Sequence, residues 1–300
     1  MTLLGVGFAL ASAVALALSN VVVRKALVKM NSRVCAAITV ATAVPLLGGA
    51  ILIQGELSEA TSLDLRSIVM LGVSGLFTFV LGRVLFYGAI QTIGTNRANS
   101  FIATSPVFAI VLGFVFLEEE VSLAEWAAVL IVMSGIVLVS ESGSGAVLNE
   151  GRRLRRGSAL ALTAAALAGV AQFLVRGAVA GTGLPLWSLL ISYASSMFVL
   201  LPVSVTADLG KLKSALGGDK ESALLLATSA GALSAMGHAF RYTALESSPL
   251  YVVSSVGAVE PLLVILLSFA LIRSLEHFNV RLLTGSGLVV LGILAISLGQ

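Results

Sequence analysis

The chain has 300 residues, of which 58% are apolar and 11% charged, and its mean hydropathy is +1.05. A soluble domain carries about 25% charge, so this chain has too little to solvate a globule's surface, and lipid must be the solvent for most of it. The formal charge of +3 therefore implies no nucleic-acid partner, because charges here are read by position relative to helix ends. The single cysteine, Cys35, excludes an internal disulfide and a thiolate metal cluster.

The opening Met1-Thr2-Leu3 lacks a basic region and the first apolar run lacks a cleavage site, so it reads as a retained helix rather than a signal peptide. About 20 residues cross the hydrocarbon as helix. The apolar runs predict ten transmembrane helices in an all-α integral membrane protein: Leu3–Val23, Cys35–Ile53, Ile68–Ile90, Ala98–Leu117 and Leu123–Ser140, then Ser158–Ala178, Leu186–Val205, Ala223–Leu245, Leu250–Leu271 and Val280–Ser297. Short connections such as Gly94-Thr95-Asn96-Arg97 and Ser248-Pro249 join them. The longest polar segment, Glu141–Gly157, carries Gly143-Ser144-Gly145 and Arg152, Arg153, Arg155 and Arg156. It divides the chain into residues 1–142, a basic linker loop over 143–157, and residues 158–300.

The two halves repeat. Gly82-Arg83-Val84-Leu85-Phe86-Tyr87-Gly88-Ala89 returns as Gly237-His238-Ala239-Phe240-Arg241-Tyr242-Thr243-Ala244, and Ser100, Ala103 and Pro106 return as Ser255, Ala258 and Pro261. Asn20 and Arg24 match Gln172 and Arg176, Pro45 matches Pro202, Phe114 matches Phe269, and Ala128, Gly135, Ile136 and Ser140 match Gly285, Gly292, Ile293 and Ser297. With five helices per half, the second half enters the membrane from the opposite side. The repeats are then inverted, and a substrate site is expected near the midplane, as in secondary carriers. Lys and Arg concentrate after odd-numbered helices, from Arg24, Lys25, Lys29 and Arg33 to the arginines at 152–156 and Lys211, Lys213 and Lys220. The opposite side offers little beyond Arg66 and Arg176, so the count places both termini outside the cytoplasm.

Ionisable groups inside a membrane helix cost about 2.5 to 3.5 kcal/mol or more at the centre and usually face a cavity. Arg83 and Tyr87 stand one turn apart on one face, and His238 and Tyr242 occupy the equivalent face of the eighth helix, with Arg241 close by. These five are expected to bind substrate. The alternatives are arginines that snorkel to an interface or neutralise Glu260, and tyrosines that serve as packing or belt residues. Glu260, beside Pro261, reads either as a proton-coupling group or as a counter-ion for Arg241. Asn20 and Gln172 read equally as substrate contacts or as interhelical amide hydrogen bonds beside the snorkelling Arg24 and Arg176. Pro106 and Pro261 free backbone carbonyls and permit helix bends. Glu118 to Glu120 with Glu125 form a solvated helix-start cluster with no assigned chemistry, and Trp126 and Trp187 read as interfacial anchors.

No phosphate-binding loop or dinucleotide fingerprint is present, because Gly5-Val6-Gly7 and Gly285-Ser286-Gly287 lack a third glycine and a strand-turn-helix context. No nucleophile–base pair or metal cluster stands out either, so neither an enzyme nor a cofactor or metal is expected.

Taken in order, several segments resemble the drug/metabolite transporter superfamily, in its ten-helix, two-copy EamA-type form. They are Ser19-Asn20-Val21-Val22-Val23-Arg24-Lys25, Tyr87-Gly88-Ala89-Ile90, Ser105-Pro106-Val107 and Leu117-Glu118-Glu119-Glu120-Val121-Ser122, followed by Tyr242-Thr243-Ala244-Leu245, Val259-Glu260-Pro261-Leu262 and Leu275-Glu276-His277-Phe278. Two departures stand out. The proline-to-glutamate spacing is two residues longer in the second copy, and Arg83, His238 and Arg241 replace positions that are usually apolar or small. The resemblance implies cytoplasmic termini, against the loop count, and a solute pool of amino acids, organic acids and nucleotide-sugars. With Arg83, Arg241 and His238 set against Glu260, the cavity is cationic. The expected function is therefore secondary transport of a small anionic or zwitterionic metabolite by alternating access, proton-coupled or by exchange, in a cell membrane (inner or plasma). The alternative is a flippase for a lipid-linked headgroup. The expected partners are a small-molecule solute and membrane lipid, and the expected state is a monomer or homodimer.

Overall fold

The computed structural model describes residues 3–56, 58–59, 63–105, 107–108, 123–140, 148–179, 183–215, 220–248, 253, 256–257 and 259–298. Pro106, Phe114, Glu118 to Glu120, Gly143 to Gly145, Ser255 and Ala258 lie outside them.

Apart from short turns, the described chain is helical. The helices are α1 (Leu3–Lys29), α2 (Ser32–Gln54), α3 (Leu65–Gly75), a π-helical stretch (Leu76–Gly82), α4 (Arg83–Ile93), α5 (Thr95–Ile102), α6 (Leu123–Ser140), α7 (Leu148–Val179), α8 (Pro185–Ala215), α9 (Lys220–Ser247), α10 (Glu260–Leu271) and α11 (Val280–Leu298). Five segments are long and apolar enough to cross a membrane: Leu4–Lys29, Ser32–Gln54, Leu65–Ile93, Gly151–Val179 and Ser222–Glu246. Shorter apolar helices run over Trp126–Val139, Pro185–Leu200, Glu260–Leu271 and Val280–Ala295. Ile53, Leu130, Phe198 and Leu266 stand exposed on outer faces. Such side chains in these numbers belong against acyl chains rather than water. The protein is a multi-pass integral membrane protein.

Local chemistry sets the helix ends. Asn31 caps α2 by accepting from the Val34 N–H at 2.9 Å, and Gly55, at φ 75°, ends it by returning its N–H to Ile51 and Leu52. Asp64 caps α3 by accepting from the Ser67 N–H at 3.1 Å, and hydrogen bonding from the Ser67 side chain, then from its N–H, holds the carboxyl below the usual range. α5 leaves helical geometry at Ala103–Thr104, shortly before Pro106. Pro261 stands in the first turn of α10, where its missing N–H costs nothing. The basic segment expected as a linker loop is helical from Leu148 onward, so Arg152 to Arg156 extend α7 beyond its apolar part. Arg and Leu are good helix formers, and an apolar count stops where the charges begin although the helix does not.

Packing pairs recur across the two halves. α1 lies against α9, where the Ser19 hydroxyl donates to the Ala230 carbonyl at 2.8 Å. α7 lies in the same way against α3, the π stretch and α4. α2 packs on α8, and α6 on α11. In that last pair a Cβ on Gly135 would lie 2.6 Å from the Gly285 carbonyl oxygen, and one on Gly292 would lie 2.9 Å from that of Ala128. These glycines let two backbones touch, as at small-residue interfaces in membranes.

Candidate functional site

A cavity of about 200 Å³ lies between these helices. Asn20, Arg83, Tyr87, Gln172, His238, Arg241, Tyr242, Glu260 and Pro261 all line it, so α1, α4, α7, α9 and α10 converge there. Every expected site residue within the described chain thus borders one space; Pro106 lies outside the described residues.

The π-helical turn comes directly before Arg83. A Cβ on Gly82 would sit 2.6 Å from the Phe77 carbonyl oxygen, so the widened turn requires glycine there. Such turns are rare and gather at functional sites.

Arg83 is 6% exposed. One guanidinium nitrogen, Nη1, donates to the Thr39 hydroxyl at 3.2 Å, and Nη2 donates to the hydroxyls of Tyr193 at 3.0 Å and Ser234 at 2.9 Å. Its central carbon lies 4.8 Å from the Phe79 ring centre and 5.4 Å from that of Tyr193. Phe79 and Tyr193 are themselves stacked at 3.9 Å. The titratable side chains near enough to act on its charge, or to feel it, include Tyr193, Tyr87, Cys35 and His238. Among the described residues the guanidinium is thus held by hydroxyls and ring faces, with no carboxylate among these partners.

The imidazole of His238 sits edge-on to the Tyr193 ring, with centroids 6.1 Å apart. Its Nδ1 lies 2.8 Å from the Ser234 carbonyl oxygen, which can only accept, so Nδ1 carries the proton. His238 itself borders the cavity.

Glu260 accepts from the Asn20 amide at 3.0 Å, and the same amide nitrogen donates to Asn99 at 2.9 Å. On the other side, Arg241 donates to the Gln172 carbonyl oxygen at 3.3 Å while the Gln172 amide donates to Ser105 at 3.1 Å. Arg241 is close enough to Glu260 to act on its charge. Asn20 and Gln172 therefore both make interhelical amide bonds while bordering the cavity.

Arg24 does not border the main cavity. It donates to the carbonyls of Ile90 at 3.0 Å and Leu275 at 3.1 Å and pairs with Glu276 at 3.0 Å. Arg176 is exposed. Trp126 is exposed, and Trp187 donates its indole N–H to the Glu56 carbonyl at 2.9 Å.

Tyr193, Ser234, Thr39, Phe79, Asn99 and Ser105 were not among the expected site residues. Around Tyr193 a signal existed: Ser188, Ser192 and Ser196, four apart in an apolar helix, mark a polar inward face, and all three are buried.

Residues 3–141 match the EamA-like transporter family. A solved crystal structure of a protein, 15% identical in sequence, superposes with a TM-score of 0.62 over 97% of this chain and 96% of its own. That likeness establishes the fold alone. No curated protein matches the chain.

Proposed function

We propose that this chain, whose residues 3–141 match the EamA-like transporter family, is a member of the drug/metabolite transporter superfamily and a secondary carrier of a small anionic or zwitterionic metabolite. Members of that family are membrane transporters. The observation that carries the finer reading is Arg83. A charge removed from water needs a partner of opposite sign, and this guanidinium is met by three hydroxyls and aromatic faces. In this reading the solute's carboxylate or phosphate supplies the missing negative charge, on a planar donor fork that suits oxyanions. Arg241 would take a second acceptor group, and Glu260 would receive the ammonium of a zwitterion or a coupling proton. A cavity of about 200 Å³ is smaller than a drug-sized pocket of roughly 300 Å³ or more. It favours amino acids and organic acids over nucleotide-sugars.

The carrier's two inverted five-helix repeats are part of the same proposal. Two observations support them. Asn20 bonds Glu260 and Gln172 bonds Ser105, where each partner immediately precedes a proline, Pro261 or Pro106. The packing pairs also exchange when the halves are exchanged, α1 with α9 for α7 with α3–α4. Inverted repeats rock about a midplane site to give alternating access.

Purified protein in liposomes should exchange radiolabelled carboxylate or phosphate metabolites across the bilayer without converting them, and the Arg83→Gln protein should not. Undiminished exchange by the Arg83→Gln protein would remove the anion reading. Movement of labelled lipid headgroups in place of free solute would identify a flippase.

A further inference from the structure

A second space, of about 180 Å³, lies beyond the first along α1. Asn20 borders the main cavity, and Arg24, one turn or roughly 6 Å further on, borders the second with Arg97, Arg153, Leu275, Glu276 and His277. Its rim is cationic, three arginines against one carboxylate.

α1, from Asn20 to Arg24, and α5, from Asn99 to Arg97, run from the first space to the second, and three separate elements meet in the wall of the second. Arg24 comes from α1, the turn at Gly94 joins α4 to α5, and Glu276 follows α10. Glu276 is 9% exposed. Its carboxylate accepts from the backbone N–H groups of Thr95 at 2.8 Å and Asn96 at 3.2 Å, capping α5. Gly94 holds φ 87°, and a Cβ on it would lie 2.7 Å from one Glu276 oxygen, so the turn is shaped to admit that carboxylate. The fit is incomplete. The Arg24 Nε lies 3.0 Å from Glu276 but, among the described residues, lacks an aligned hydrogen bond, as do the buried Thr95 hydroxyl and both side-chain polar atoms of Asn96. Unsatisfied buried polar atoms are rare in a permanent core. Four such atoms among the described residues lie at this one junction, where opening would expose them to water.

We propose that the Arg24–Glu276 pair, seated in the Gly94 turn, is the gate between the main cavity and a cationic vestibule through which the anionic solute enters or leaves. Withdrawal of Glu276 from the turn unlocks it and frees Arg24 to meet the passing oxyanion. The proposal rests on the transporter reading above, and its test reads access rather than flux.

In a Cys35→Ala background, which removes the single native thiol, Ala168→Cys places a reporter on the main cavity and His277→Cys one in the vestibule. Reaction of the His277→Cys protein with a membrane-impermeant maleimide identifies the vestibule side in oriented vesicles. From that side, adding Glu276→Gln should speed labelling of the Ala168→Cys reporter roughly tenfold or more, because labelling follows the open population. Gly94→Ala, which keeps every charge but crowds the carboxylate, should act in the same direction. Unchanged labelling in either variant, with retained monodispersity, would make the pair a structural staple and overturn the gate. Faster labelling without solute flux in any variant would leave the gate standing and remove the transporter reading instead.

Discussion

Two arginines in this protein are held in opposite ways. Arg24 has a carboxylate 3.0 Å away and two backbone carbonyls, so its charge is answered within the chain. Arg83, more deeply buried, has three hydroxyls and ring faces. The first charge meets a carboxylate of the chain itself, whereas in the proposed reading the second meets the solute. On the two proposals the same side chain serves as a lock in one place and as a receptor in the other, and the partner's formal charge tells the two apart.

The largest effect should come from breaking the lock. Arg24→Ala leaves Glu276 buried without its cation and should lower stability by about 3 to 5 kcal/mol, read by thermal unfolding in detergent. Arg83→Gln removes a charge without a carboxylate partner and should leave thermal stability unchanged or raise it. Equal destabilisation by the two substitutions would break the comparison. Arg83→Lys should fail to restore flux, because an ammonium cannot reproduce a planar fork held by Thr39, Tyr193 and Ser234.

Tyr193→Phe sharpens the contrast. A hydrogen bond to a charged group contributes about 1.5 to 3 kcal/mol, so losing the bond that orients Arg83 should weaken solute affinity roughly tenfold, measured as a rise in KM for uptake. The smallest effect is expected at Asn20→Ala, because Arg241 still acts on Glu260 when the amide is gone. It releases Glu260 from its tether and should change KM only a few-fold while leaving the fold intact.

How far the sequence revealed these roles depended on what each residue's neighbours were. Arg83, Tyr87, His238 and Tyr242 were legible because one phrase occurs twice and charges inside apolar helices are conspicuous. Thr39 and Ser234 were not, since hydroxyls are common in membrane helices and bond their own backbone; only the fold turns these two toward Arg83. Arg24 and Asn20 share a helix face, yet the long arginine stem carries its head to the helix end and Glu276, a partner 252 residues away by number. The π-helical turn left no mark beyond Gly82, whose need is seen only in its approach to Phe77. The start of α7 was hidden because apolar runs report the membrane rather than the helix.

The central claim is that Arg83 awaits an anion. It is tested most directly by thermal unfolding of purified wild-type and Arg83→Gln protein against a panel of amino acids, organic acids and phosphorylated metabolites. A ligand at 100 times its dissociation constant stabilises the native state by about 2.7 kcal/mol. The account predicts such a rise for at least one anionic or zwitterionic solute in the wild type and none for that solute in the Arg83→Gln protein. The same rise in both proteins would contradict it.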